Sequence, residues 1–159
     1  MRFKRSVAGL LLSVTFLFAC GEEPQTEYGP VSEVNSYLSQ VRQLLQALRM
    51  LDAQVAKEVA TGTVEADYIV PLIRDSFRPA LIDLHDRATH IVHGEKLDPL
   101  HRQLLDYLEL RIKAYDTAIA GDEQNRPELF EEFSRLQTQA QELGRQLEKG
   151  IGVVRHKLP

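Results

Sequence analysis

Two opposite charges fall on the inward-facing sides of predicted helices. At about 100° per residue, Asp52 lies roughly 30° from the centre of one apolar stripe and Arg111 roughly 50° from the centre of another. Counted from the predicted ends of their helices, both residues stand at the same height. The pattern predicts a buried polar layer in which Asp52 and Arg111 form an ion pair that fixes helix register, because an unpaired buried charge is costly.

Arg74 and Gln137 are predicted near the same level, on the flanks of the other two stripes. This placement allows a second interpretation of the layer. Arg111, together with Arg74, would bind the carboxylate or phosphate of a small ligand in a cavity of the bundle. The two interpretations differ in whether Asp52 neutralises Arg111 or leaves it free for a ligand.

Histidines form a second candidate group. Asp86, His90 and His93 are four and three residues apart, a spacing that places all three on one helix face and that metal ions use. That face points away from the apolar stripe, where histidines are usually solvated, so the three are only weak candidates and no metal site is assigned. His101 projects inward instead, and we expect the end of the bundle that carries the N-terminal segment to hold His90, His93, His101 and His156.

Familiar catalytic signatures are missing from the sequence. It contains no Gly-x-Ser-x-Gly, no Gly-rich phosphate loop and no His-Glu-x-x-His, and its single cysteine lies before the predicted body. We therefore predict that the protein is not an enzyme and that it needs no dissociable cofactor.

Four stretches of helical periodicity must position these side chains. In each, apolar residues recur every three or four positions, and a glycine follows the last of them. Short loops between such stretches favour antiparallel neighbours, so we predict an all-α fold, an up-down-up-down four-helix bundle over residues 31–150. The glycines taken as helix ends are Gly62, Gly94, Gly121 and Gly150. Residues 151–159 show no usable period and are predicted to be a C-terminal tail.

Prolines interrupt the second helix. Pro79 lies in the middle of its apolar stripe, where it has no N–H for the carbonyl of Asp75, at a cost of about 3 kcal/mol unless the helix bends. The second helix is therefore predicted to be kinked by this proline. Pro71 is predicted to start the main helix after a short turn, because proline is tolerated in a first turn.

The N-terminus has the layout of a secretion signal. Arg2, Lys4 and Arg5 form a basic patch, and the next thirteen residues, 7–19, follow without a charge. A membrane-spanning helix needs about 20 apolar residues, so this run is too short to cross a bilayer. Residues 1–19 are predicted to be removed.

The residues around the cleavage site resemble the lipobox of bacterial lipoproteins. Leu17 stands three residues before Cys20 and Ala19 directly before it, while Phe18 departs from the small or aliphatic residue usual at its position. The resemblance implies cleavage before Cys20, which would receive covalent diacylglycerol and N-acyl lipid. Cys20 is the only cysteine, so no internal disulfide competes for it.

After this cleavage, residues 20–30 are predicted to be a lipidated cysteine and a flexible tether of at most about 35 Å. The mature chain would carry 16 basic and 23 acidic side chains, a formal charge of −7. A chain this acidic is a poor candidate for binding nucleic acid. Because Gly21 is not the aspartate that retains lipoproteins at the inner membrane of enteric bacteria, the resemblance implies anchoring in the outer membrane, facing the periplasm.

Two classes of function remain open. In the first, the protein is a lipid-anchored module of the cell envelope that contacts an envelope protein partner. In the second, the bundle interior or the histidine group carries a small ligand or a metal. The first is favoured because it needs no special residues, whereas the second needs a cavity beside Arg111 and an Asp52 that does not fully neutralise it.

Overall fold

A computed structural model describes residues 23–60 and 66–159. This part of the chain is all-α, as predicted, with four helical segments packed against each other. The first segment is α1 (Val31–Ala60). The second consists of α2 (Ala66–Leu72), a π-helix (Ile73–Phe77) and α3 (Arg78–Thr89), and the last two, preceded by a 3₁₀ turn (Glu95–Leu97), are α4 (Asp98–Glu123) and α5 (Glu128–His156).

The core consists of the apolar stripes of these segments. Every long helix contributes residues spaced three or four positions apart, and burying one such large side chain stabilises the fold by roughly 1.5–3 kcal/mol. The largest fully buried side chains are Tyr37, Phe77, Leu81, Leu104, Leu108, Tyr115, Leu136 and Leu147. No helix within the described ranges is long and apolar enough to cross a membrane.

The second segment contains a π-helix directly before its internal proline. The backbone N–H of Arg78 donates to the carbonyl of Ile73, five residues back, so one extra residue is inserted upstream of Pro79. Insertions of this kind change the direction of the backbone bonds where a proline offers no N–H. Pro71 lies inside α2, so the prediction that it starts the main helix is wrong.

A short hairpin replaces part of the predicted tether. β1 (Gln25–Thr26) pairs antiparallel with β2 (Gly29–Pro30), and Gly29 has a φ of 126°, which favours glycine. The Thr26 hydroxyl donates to the Gly29 carbonyl over 2.9 Å and accepts the Tyr28 N–H over 3.1 Å. Tyr28 packs on the core. The prediction that flexible chain extends to residue 30 is therefore wrong for residues 25–30.

The hairpin is also joined to the start of α1. The Val31 N–H donates to the Pro24 carbonyl over 3.0 Å, and the Ser32 N–H donates to a carboxylate oxygen of Glu23 over 2.7 Å. An acidic side chain in this position satisfies a free N–H of the first helical turn and complements the helix dipole. The body therefore begins at residue 23.

The predicted C-terminal tail is largely helical. α5 continues through Gly150 to His156, and Ile151 and Val154 are buried, so the separation of residues 151–159 from the bundle is wrong. Gly150 is not a helix end. A Cβ at this position would lie 2.8 Å from a terminal methyl of Leu100, so the glycine allows α4 to approach α5 closely.

The turn between α4 and α5 shows a similar misreading. α4 extends two residues beyond Gly121, and the left-handed residue that follows it is Asn125, with a φ of 50°. A Cβ at Gly121 would lie 3.2 Å from the Cβ of Leu129 and 3.3 Å from the ring of Phe130. This glycine therefore provides space for the start of α5 and does not end a helix.

Candidate functional site

The structure brings Asp52 on α1 and Arg111 on α4 together in a bidentate ion pair. One guanidinium nitrogen of Arg111 donates to Asp52 Oδ2 over 3.0 Å, and the other donates to Oδ1. The Tyr107 hydroxyl lies 3.5 Å from Arg111 Nη1, and the Tyr107 ring centre lies 5.9 Å from the guanidinium carbon. Two parallel N–H···O bonds fix the orientation of both side chains as well as their distance.

The two partners differ strongly in exposure. The side chain of Arg111 is 7% exposed, whereas that of Asp52 is 47% exposed. The prediction that both face the interior is therefore wrong for Asp52. The reason is its position on α1, whose buried residues end at Leu51, so the carboxylate reaches inward from the surface to a buried guanidinium.

The charge state of the pair follows from two opposed effects. Burial alone lowers the pKa of Arg111, but the hydrogen bonds and charge of Asp52 outweigh burial and raise it overall. The pKa of the Tyr115 hydroxyl is raised by burial, against an opposing effect of the Arg111 charge. Arg111 is therefore a permanent buried cation, and its neighbour Tyr115 is neutral.

Of the other two residues predicted for this layer, one is near and one is not. Gln137 on α5 lines the same cavity as Asp52 and Arg111. Arg74 instead forms ion pairs with Asp122 at 3.7 Å and Glu123 at 3.1 Å. These acidic residues follow Arg111 by 11 and 12 positions, about 17 Å along α4, so Arg74 does not join Arg111 around one ligand.

Two tyrosines of the site were not predicted to belong to it. Tyr107 precedes Arg111 by four residues and Tyr115 follows it by four, and both line the cavity beside it. Residues four apart are neighbours on a helix surface, so this spacing around an inward-facing arginine is the signal that could have identified them.

Two adjoining cavities lie beside the ion pair. The first, of about 500 Å³, is bounded by Asp52, Arg111 and Gln137. The second, of about 380 Å³, is mainly apolar and includes Phe130 and Phe133. They share four lining residues: Val55, Val59, Tyr115 and Gln137. Volumes of this size suit small-molecule sites, and here a cationic group and an apolar surface adjoin.

These cavities belong to a longer groove between the first and last helices, which we call the α1–α5 seam. It is bounded by residues 38–59 of α1 and 130–155 of α5, and α4 forms its floor through Tyr107, Arg111 and Tyr115. Two further cavities, of about 330 and 360 Å³, continue it towards the hairpin and share Leu45, Arg49 and Glu148. The seam is thus open along most of α1.

The weak metal candidates are not brought together. α3 ends at Thr89, so the predicted helix face does not extend to His93. His90 and Asp86 are exposed and 4.0 Å apart, whereas His93 Nε2 lies 3.0 Å from a carboxylate oxygen of Asp98. In residues 23–60 and 66–159, no three histidine, cysteine or acidic side chains are arranged to hold a metal ion.

His93 takes part in an aromatic cluster instead. Its ring stacks on that of His101, with centres 4.0 Å apart, and both lie about 6 Å from the ring of Tyr37. Burial is the main cause that lowers the pKa of His101, and the neighbouring His93 lowers it further, while Asp98 raises it. The buried Tyr37 hydroxyl and His101 Nδ1 have no hydrogen-bond partner in the described part of the chain. His90 and His156 are exposed and lie outside this cluster.

Comparison with family models, curated proteins and solved structures found no match for this chain. The signal, the lipobox and Cys20 lie outside the described residues. Inferences about function therefore rest on the sequence of residues 1–22 and on the geometry of the body.

Proposed function

We propose that the protein is a lipid-anchored lipoprotein of the cell envelope whose helical body is an interaction or accessory module without catalytic activity. The observation that carries the proposal is the Leu17–Cys20 tetrapeptide behind a basic and then uncharged segment. Diacylglycerol and N-acyl chains on Cys20 supply two lipid attachments, which stable membrane anchoring requires.

The start of the body supports a position close to the membrane. The folded part begins at Glu23, whose carboxylate accepts from Ser32, only three residues after Cys20. Three residues span at most about 11 Å, so a lipid on Cys20 holds the hairpin near the headgroups. We propose the periplasmic side of the outer membrane, because Gly21 follows the cysteine.

The proposed chain order in the body is up-down-up-down, with a bend where the π-helix meets Pro79. Contacts of α3 with α1 and α4, and of α4 with α5, support this order. It places the free end of α1 and the cavities beside Arg111 away from the hairpin, on the side that faces a partner.

Mass spectrometry of protein produced from the full precursor tests the anchor. We expect the wild-type protein in the membrane fraction, beginning at Cys20 and heavier than its peptide mass by one diacylglycerol and one acyl group. Cys20→Ser removes the acceptor thiol and should abolish both additions, whereas Gly21→Ser, a matched change at the next residue, should keep them. A wild-type mass without lipid would refute the anchor.

A ligand carrier is the alternative function, and the two adjoining cavities beside Arg111 favour it. Against it, Asp52 already occupies two donors of that arginine. Native mass spectrometry of the protein purified from its own host separates the two. A retained small molecule or metal ion would favour the carrier, and an empty chain favours the interaction module.

A further inference from the structure

The α1–α5 seam has the dimensions of a single helix. From Leu38 to Val59 it follows 21 residues of α1, about 32 Å of helix length. Its base consists of half-buried apolar side chains, among them Leu45, Val55 and Tyr107, that pack on the core from below and line cavities above. The molecule thus carries a long apolar trough with no helix of the described chain lying in it.

The edges of the trough are positively charged at its hairpin end. Arg42, Arg49, Arg145 and Arg155 line this half, against the acidic Glu148 and Asp52. Arg42 and Arg155 form no ion pair with any residue that the structure describes. The mature chain has an excess of acidic residues, so this concentration of arginine is opposite in sign to the protein as a whole.

One ion pair crosses the trough. Arg49 Nη2 on α1 lies 2.9 Å from Glu148 Oε1 on α5, with side chains 70% and 59% exposed. Exposed pairs of this kind contribute little to stability and are readily exchanged. A carboxylate on a partner could therefore replace Glu148 beside Arg49 without disturbing the core.

We propose that the α1–α5 seam binds an amphipathic helix of a partner protein, with its apolar stripe on the trough and acidic residues beside Arg42, Arg49 and Arg155. Recognition of an amphipathic helix in a hydrophobic groove is an established binding mode, and the trough accommodates about 20 residues. The arginines fix the sign of the partner's charge and its direction along the seam. A flat bilayer surface could reach the arginines but not the apolar base between the helices.

This inference rests on the proposed role as an interaction module and specifies its partner surface. The experiment uses the complete mature chain, residues 20–159, with Cys20→Ser, so that no lipid contributes to binding. Membrane attachment is read from the intact mass described above and peptide binding from fluorescence anisotropy. A failure of one therefore does not hide a failure of the other.

The probe is a designed 21-residue helical peptide with an apolar stripe of period 3.6 and glutamates grouped at one end. A control peptide keeps the stripe and replaces the glutamates with lysines. We expect the acidic peptide to bind at least ten times more tightly than the basic one. Equal binding of the two, or no binding of either, would overturn the proposal.

Three variants locate the site. Gly152→Leu projects a side chain into the seam where a Cβ would meet no atom within 4 Å, so it blocks the trough without a clash. Arg42→Glu with Arg155→Glu reverses the edge charge and should invert the peptide preference. Arg102→Glu on the exposed surface of α4 makes the same type of charge change outside the seam and should leave binding unchanged.

Vesicles test the competing explanation for the arginines. If vesicles containing anionic phosphatidylglycerol bind the chain, lose it with Arg42→Glu and Arg155→Glu, and the acidic peptide does not bind, the basic edge is a membrane contact and the proposal is wrong. If Gly152→Leu weakens peptide binding at least fivefold while circular dichroism shows the same helix content, the seam is the binding site.

Discussion

The two ends of α1 differ in how they are supported. Its first 21 residues contribute seven buried side chains, and the hairpin, α4 and the last turns of α5 pack around them. Its last nine residues contribute no buried side chain, and Val59 there is 42% exposed. One continuous helix is therefore a core element at the hairpin end and one wall of an open seam at the other.

The Asp52–Arg111 pair lies at the transition between these regions. Leu51 is the last buried residue of α1, and the carboxylate of the next residue reaches the buried guanidinium on α4. The pair thus connects α1 to the bundle where apolar contact ends. The comparison suggests that stability resides at the hairpin end and that binding uses the seam.

The largest expected effect contrasts core residues of the two ends. Leu104→Ala removes a fully buried side chain near the hairpin end and should lower the free energy of unfolding by about 2–5 kcal/mol. Val59→Ala removes a partly exposed one and should cost about 0.5 kcal/mol or less. Urea denaturation measures both. Equal losses would show that the two ends are packed alike.

The next effect concerns the asymmetry of the ion pair. Asp52→Ala leaves the buried guanidinium of Arg111 without its main acceptor and should cost about 1–3 kcal/mol. Arg111→Met leaves only a half-exposed carboxylate, which water can solvate, so its cost should be smaller. The two melting temperatures decide this. A larger loss for Arg111→Met would contradict the described exposure of the partners.

A smaller effect is the pH dependence of the histidine cluster at the hairpin end. Burial lowers the pKa of His101 in the folded state, so below its unfolded value of about 6.5 the unfolded chain binds the proton first and stability falls. Melting temperatures between pH 7.5 and 5 should decrease less in His101→Phe than in the wild type. The exposed His90→Gln should behave like the wild type, and identical curves for all three would exclude a role for His101.

The smallest expected effect compares two glycines of α5. Gly152 faces open space in the seam, so Gly152→Ala should stabilise the helix by up to about 1 kcal/mol. At Gly150 a Cβ would meet Leu100 at 2.8 Å, so Gly150→Ala should gain less or destabilise. Thermal unfolding distinguishes them. A larger gain at Gly150 would mean that α4 does not approach α5 closely there.

Sequence periodicity predicted the helices better than their ends. The stripes of α1, α4 and α5 identify these elements, because an amphipathic period records burial along a helix. Gly121 and Gly150 were interpreted as helix ends, although both serve close approach of another helix. A sequence does not reveal which role a glycine has, since the answer depends on the neighbouring element.

The candidate site shows the same limit. Helical projection places Asp52 and Arg111 at one height but cannot give exposure, which depends on the separation of α1 from α5. The Tyr37 and His93 contacts to His101 depend on a loop conformation after Thr89 that has no periodic signal.

Amide hydrogen exchange along α1 tests most directly the claim that one helix is core at one end and seam wall at the other. Exchange reports local opening, which is rare where apolar contacts are dense. We expect the amides of residues 35–51 to exchange at least ten times more slowly than those of residues 53–60, and the acidic peptide to slow the second group. Equal protection along the whole helix, unchanged by the peptide, would contradict the account.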